Sequence, residues 1–181
     1  MATEDQILSA AVDLLEKDGA EALTTRAVCE AAGVTAPTLY HHFGDKNGLV
    51  RAIVAQGVKT FMARKRANRQ TADAVADLKR GWDGWIAFAL ERPRLFRLMI
   101  ESTRSDPSAN QEAFIIVREI VERLASDGRL MTDSDTAART IWAASNGVLT
   151  LFMQGMSAAE IKLSSELLFD ALMAKLVRSG C

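Results

Sequence analysis

The 181-residue chain contains only two cysteines, three prolines, one tyrosine and two histidines. Cys29 and Cys181 lie at opposite ends of the sequence, in neither a metal-ligand nor a redox spacing. That excludes a disulfide scaffold and a cysteine-built metal site, and it suits a reducing compartment. With so few prolines, helices can run long without interruption. Long apolar runs are missing too. The longest weakly polar stretch, Ile141 to Met156, is interrupted by Ser145, Asn146 and Gln154 and is too short to span a bilayer. The start, Met1-Ala2-Thr3-Glu4-Asp5, lacks the basic beginning and apolar core of a secretory leader. A soluble, cytoplasmic protein with no membrane partner is expected.

A net charge of one sign is also lacking, since 22 Lys+Arg oppose 23 Asp+Glu for a formal total of −1. Such a balance excludes a protein that coats nucleic acid by charge alone. The distribution is uneven, however. Residues 1–50 hold three bases against eight acids, six of which precede Ala22, whereas residues 51–80 hold eight bases against Asp73 and Asp77. The acidity belongs to the first helix, and the stretch from Ala22 to Arg69 is net basic.

What is present is helical periodicity in almost every segment, which predicts an all-α fold of about nine helices. Thr3 and Gln6 form a capping box ahead of Ile7, Leu8, Ala11, Leu14 and Leu15, and Gly19 stops this first helix. Thr24 or Thr25 caps a short second helix that ends at Gly33. Thr35 caps a third, with Pro37 tolerated in its first turn, running to about His42. Two short helices around a glycine turn make a helix-turn-helix. Asp45 then caps a long fourth helix carrying Leu49, Ile53, Gly57 and Phe61 and ending in Arg64-Lys65-Arg66, a basic terminus that suits the helix dipole. Further helices are expected over about 72–91, 93–103, 108–126, 133–155 and 157–178, with a turn at Ser105-Asp106-Pro107. Ser157 and Glu160 form a second capping box, and Gly180 follows the last helix. That last helix is apolar around most of its circumference, so it must be covered on two sides, by its own chain and by a second subunit.

The run from Leu23 to Lys46, LTTRAVCEAAGVTAPTLYHHFGDK, resembles the DNA-binding signature of the TetR family of bacterial transcriptional regulators. The resemblance joins the glycine turn, the Leu-Tyr-His-His-Phe end of the third helix and the lysine opening the fourth. It implies a helix-turn-helix domain over residues 1–50, a connecting helix over 45–69, and a C-terminal domain over 70–181 for effector binding and dimerisation. It also places Thr25, Tyr40 and Lys46 at phosphate-contacting positions and Ala36, Thr38 and His41 near base edges, with His42 and Phe43 as packing positions. The residue chemistry agrees: the third helix has no Lys, Arg, Asp or Glu, yet carries hydroxyls and an imidazole able to hydrogen-bond phosphates or bases. Arg26 and Thr35 complete the candidate DNA-binding set. Lys46 opposes the dipole of the helix it opens, a conflict that a bound phosphate reverses. Two departures stand out: Ala36 replaces a polar or basic residue, and Gly48 weakens a helical turn where a glutamate is common.

In the C-terminal part, Trp82, Trp85 and Phe88 recur at three-residue spacing, and Met99, Trp142, Asn146 and Phe152 join them as candidate ligand-binding residues. Such a wall favours a small apolar or aromatic effector. The small residues Ala144 and Gly147, with Leu151, Ile161, Leu168 and Leu172, are the candidate dimer interface, a four-helix packing of the last two helices with their symmetry copies. The expected partners are double-stranded DNA with a palindromic operator, a small effector and a second copy of the chain. A carrier protein with a degenerate helix-turn-helix is the alternative. No catalytic residue, metal ligand or cofactor is expected, because the adjacent His41 and His42 point apart on a helix and no carboxylate pair or activated nucleophile accompanies them.

Overall fold

The computed structural model describes residues 4–67, 70–103 and 111–178. Among them are nine α-helices: α1 (Glu4–Asp18), α2 (Thr25–Ala32), α3 (Ala36–Phe43), α4 (Lys46–Ala67), α5 (Ala74–Glu91), α6 (Pro93–Thr103), α7 (Gln111–Ser126), α8 (Ser134–Met153) and α9 (Ala158–Leu176). One turn of 3₁₀ helix, Ala20–Ala22, follows α1, and one isolated bridge joins Leu130 to Val177. No strand occurs among the described residues, and no helix there is long and apolar enough to cross a membrane. The expected cap at Thr3, the turn at Ser105-Asp106-Pro107, the start of the seventh helix at Ser108 and Gly180 lie outside the described residues.

The chain forms two compact units, Met1–Phe61 with Arg92–Asp106, and Met62–Glu91 with Pro107–Cys181. Helix α4 contributes to both. In the first unit, Gly19 ends α1 at a φ of 90°, a left-handed value open to glycine. Thr24 caps α2 by accepting from Ala27 N at 3.2 Å, and Gly33 closes it in the left-handed conformation. Ile7, Leu15, Leu23, Val28, Leu39, Leu49 and Ile53 form a dry core. Helix α6 belongs to this unit. Its first turn is capped from α1, where the Glu16 carboxylate accepts from Leu95 N at 2.8 Å, while Arg94 donates back to the Glu16 carbonyl at 3.0 Å. A Cβ at Gly57 would lie 2.9 Å from Met99 Sδ, so glycine lets α4 and α6 approach closely.

Gly48 proves to be a requirement rather than a weakness. The Asp45 carboxylate caps α4 by accepting from Gly48 N at 2.6 Å, and a Cβ at position 48 would collide with the Phe43 carbonyl oxygen.

The second unit has its own core, to which α5 contributes Trp82 and Phe88, α7 Val121 and Leu124, α8 Ile141 and Leu149, and α9 Ile161 and Phe169. Trp82 Nε1 donates to Ser165 Oγ at 2.7 Å, so the buried indole is satisfied across helices. The Ser157–Glu160 capping box opens α9, as its sequence predicts. Beyond α9 the chain pairs with the α7–α8 connection through Met131 N to Leu176 O and Arg178 N to Arg129 O, both 2.8 Å.

Candidate nucleic-acid interface and effector cavity

Helix α3 divides cleanly. Leu39 and Phe43 turn into the core of the first unit, while Pro37, Tyr40, His41 and His42 are exposed and Ala36 and Thr38 are half-buried. The i, i+4 spacing puts Ala36 with Tyr40 and Pro37 with His41 on the outward side. His42, expected to pack, is exposed, its ring edge-on to His41 at 5.5 Å. Thr35 begins α3 without a side-chain cap; its hydroxyl pairs instead with that of Thr38 at 3.0 Å. Across the glycine turn, the Tyr40 phenol meets the Thr25 hydroxyl on α2 at 3.3 Å. Two hydroxyls expected to contact phosphate thus come from both helices to one spot. Arg26 on α2 and Lys46, which opens α4, are exposed.

The expected ligand-binding residues lie elsewhere in the fold. Trp82, Trp85 and Phe88 are buried, Trp82 edge-on to Phe169 and Trp85 stacked on Phe88. Trp142 is half-buried against Phe114, and Phe152 is half-buried as well. The Asn146 amide donates to the Trp142 carbonyl one turn back on α8, at 2.7 Å. Met99 sits on α6 in the first unit, against Gly57.

None of these residues lines the cavity of about 470 Å³ that opens in the second unit between the end of α4, α5 and α7. Its polar wall carries Lys65, Arg66, Asp77, Arg80 and Glu119, and its apolar wall Ile115, Ile116 and Ile120. Asp77 is buried but fully engaged. It accepts from Arg123 at 2.6 Å, from Thr71 N at 3.0 Å and Thr71 Oγ1 at 2.8 Å, and from Arg80. Burial by itself would raise its pKa; the Arg123 hydrogen bond, those from Thr71 and the charge of Arg80 outweigh burial and hold it at about 2. Lys65 donates to the Ala113 carbonyl at 3.2 Å, and desolvation lowers its pKa to about 8. Sequence reasoning missed this cavity because its charged wall reads as a solvated helix face.

On α8, Gly147 and Leu151 are exposed and Ala144 half-buried; on α9, Leu168 and Leu172 are half-buried. Ile161, expected between subunits, is fully buried in its own chain. The exposed leucines of α9 are Leu163 and Leu167, at 70% and 73%. Among the described residues no three His, Cys, Asp or Glu cluster as metal ligands.

Comparison with known proteins agrees with this architecture. The family model of bacterial regulatory proteins of the tetR family matches residues 7–53, and that of the tetracyclin repressor-like C-terminal domain matches residues 78–176. The chain is 34% identical over 64 residues to the HTH-type transcriptional regulator UidR of Escherichia coli, covering 35% of this chain and 33% of UidR. It is 32% identical over 91 residues to the class A tetracycline repressor from transposon 1721, covering 50% and 37%. These matches span only about a third of each relative's length. A solved transcriptional regulator from Saccharomonospora viridis, crystallised with choline, shares the fold at a TM-score of 0.80 and 17% identity, over 97% of both chains.

Proposed function

The chain belongs to the TetR family of bacterial regulatory proteins, and from that premise we propose that it is a cytoplasmic, ligand-responsive repressor that binds a palindromic operator as a homodimer. The operator is released when a small effector with an apolar or aromatic body enters the C-terminal domain, residues 70–181. The observation that carries this reading is the exposure of Tyr40 and His41, with Thr38 half-buried beside them, on a helix whose Leu39 and Phe43 anchor it to the core.

One helix-turn-helix contacts too few bases for tight specific binding, whereas two related by a two-fold axis read half-sites a helical turn or more apart. Thr25, Tyr40 and Lys46 hold the backbone, with Arg26 and Thr35 beside them, while Ala36, Thr38 and His41 approach base edges. Ala36 suits a thymine methyl. Dimerisation uses the α8–α9 face, where Gly147 admits a close helix. Effector binding alters the spacing of the two reading heads through α4, which contributes to both units. Such a shift needs an effector of different affinity for the two states.

The test is a mobility-shift assay on the DNA upstream of the gene. Binding is expected to fall steeply with salt, and Tyr40→Phe and Lys46→Ala are each expected to weaken it on all sequences alike. Unchanged binding in both variants overturns the phosphate assignments. No shift at all, with a small molecule still bound, favours a carrier protein instead.

A further inference from the structure

The basic run of α4 is not one surface. The helix carries Lys46, Arg51, Lys59, Arg64, Lys65 and Arg66 and no Asp or Glu. Two of these cations are committed within the second unit, where Arg64 donates to the Glu91 carboxylate at 2.8 Å and Lys65 to the Ala113 carbonyl at 3.2 Å. Those of the first unit are not. Lys46, Arg51 and Lys59 are exposed, and among the described residues no carboxylate or carbonyl holds any of them. Helical spacing offers Arg51 no acid either, since its neighbours three and four positions away are Asn47, Gly48, Val54 and Ala55. Asn47, Arg51, Ala55 and Lys59 follow one another at four-residue steps and are all exposed, so they form one outward ridge that starts beside Lys46.

We propose that Asn47 and Arg51 form a further phosphate site on the DNA backbone, one turn along α4 from Lys46, and that Lys59 lies outside the footprint. This rests on the reading of the chain as a DNA-binding regulator and adds two residues to its contact surface. Charge neutralisation has to come from beside the reading helix, because α3 contains no Lys or Arg. With a formal net charge of −1, the chain as a whole supplies no diffuse positive field. Arg26 and Lys46 flank α3, and Arg51 is the next exposed cation along α4. Its planar guanidinium suits a phosphate, which it grips through two parallel hydrogen bonds, and the Asn47 amide on the same ridge adds a neutral donor. At 1.5 Å per residue, Arg51 stands about 7.5 Å along the axis from Lys46, whereas Lys59 stands about 20 Å away. The first distance is within, and the second beyond, a major-groove width of about 12 Å.

The test is fluorescence anisotropy of the full chain with two labelled duplexes, the DNA upstream of the gene and a scrambled sequence of equal length, in KCl from about 50 to 200 mM. Three cations per protomer, Arg26, Lys46 and Arg51, give a dimer an expected slope of log K against log salt of about −5. Arg51→Ala is expected to weaken binding roughly tenfold at the lowest salt on both duplexes and to make the slope shallower by about one per half-site. Arg51→Lys keeps the charge and therefore the slope, at reduced affinity. Asn47→Ala is expected to weaken binding a few fold with no change of slope, because a neutral amide releases no counterion. Lys59→Ala removes the same charge from the same ridge and is expected to leave both affinity and slope unchanged. Circular-dichroism melts of each variant confirm the fold. An unchanged slope in Arg51→Ala overturns the proposal, and so does an equal loss in Lys59→Ala, which would mark a diffuse field in place of a contact. Wild-type protein that binds neither duplex overturns the regulator reading and this contact with it, whereas wild-type binding that Arg51→Ala leaves intact overturns the contact alone.

Discussion

A side chain at position 48 would run into the Phe43 carbonyl oxygen. Alanine is the better helix former by about 1 kcal/mol, yet Gly48→Ala is expected to destabilise the protein by about 1–3 kcal/mol through overpacking against backbone. Urea unfolding measures this, and an unchanged midpoint would show that the carbonyl yields. Asp77 is the other residue on which local structure turns, because it gathers Thr71, Arg80 and Arg123 around one buried carboxylate. Asp77→Asn is expected to cost about 3 kcal/mol, the low end for a broken buried pair, since both arginines keep some solvent access. The pH dependence has a defined sign. The folded pKa of about 2 lies below the unfolded value near 3.8, so the stabilisation is complete above pH 4 and disappears as pH falls through 2. Stability curves for wild type and Asp77→Asn should converge across that window; a constant gap would mean the carboxylate's charge is not what stabilises. None of this was legible in the sequence, where Asp77 is one acid in a basic stretch and Gly48 reads as a weak turn.

Among the elements, α1 and α6 are joined by a reciprocal cap far apart in sequence. Glu16 accepts from the first turn of α6, and Arg94 donates to the carbonyls ending α1. Glu16→Ala is expected to cost about 1 kcal/mol, as for loss of an N-cap, with a lowered melting temperature as the readout. A melting curve superimposable on wild type would show that the first turn of α6 is held by packing alone. The caps local in sequence, at Thr24 and at Ser157 with Glu160, were readable because donor and acceptor lie within three residues. The Glu16 cap was not, because its two halves are 79 residues apart.

At the scale of the whole molecule, the apolar circumference of α9 resolves into two faces. Ile161, Phe169 and Leu176 fill the chain's own core, while Leu163 and Leu167 remain outside it. Covering those leucines is the role proposed for a second subunit. The double substitution Leu163→Glu and Leu167→Glu is expected to give a monomer in sedimentation velocity and to abolish the mobility shift, with helical content kept. A dimer surviving both changes would place the subunit contact elsewhere.

The sequence by itself determined the helices, their glycine and hydroxyl stops, the helix-turn-helix and its outward hydroxyls, because each depends on residues a few positions apart and on a 3.6-residue period. Only the tertiary structure decided which apolar residues are spent internally. Trp82 and Ile161 read as site or interface and are core; Lys65 reads as part of a basic helix end and lines a cavity with Ile115. The physical reason is that burial is a property of contacts between distant segments. The spacing of residues 65, 80 and 119 says nothing of the wall they share until α4, α5 and α7 pack.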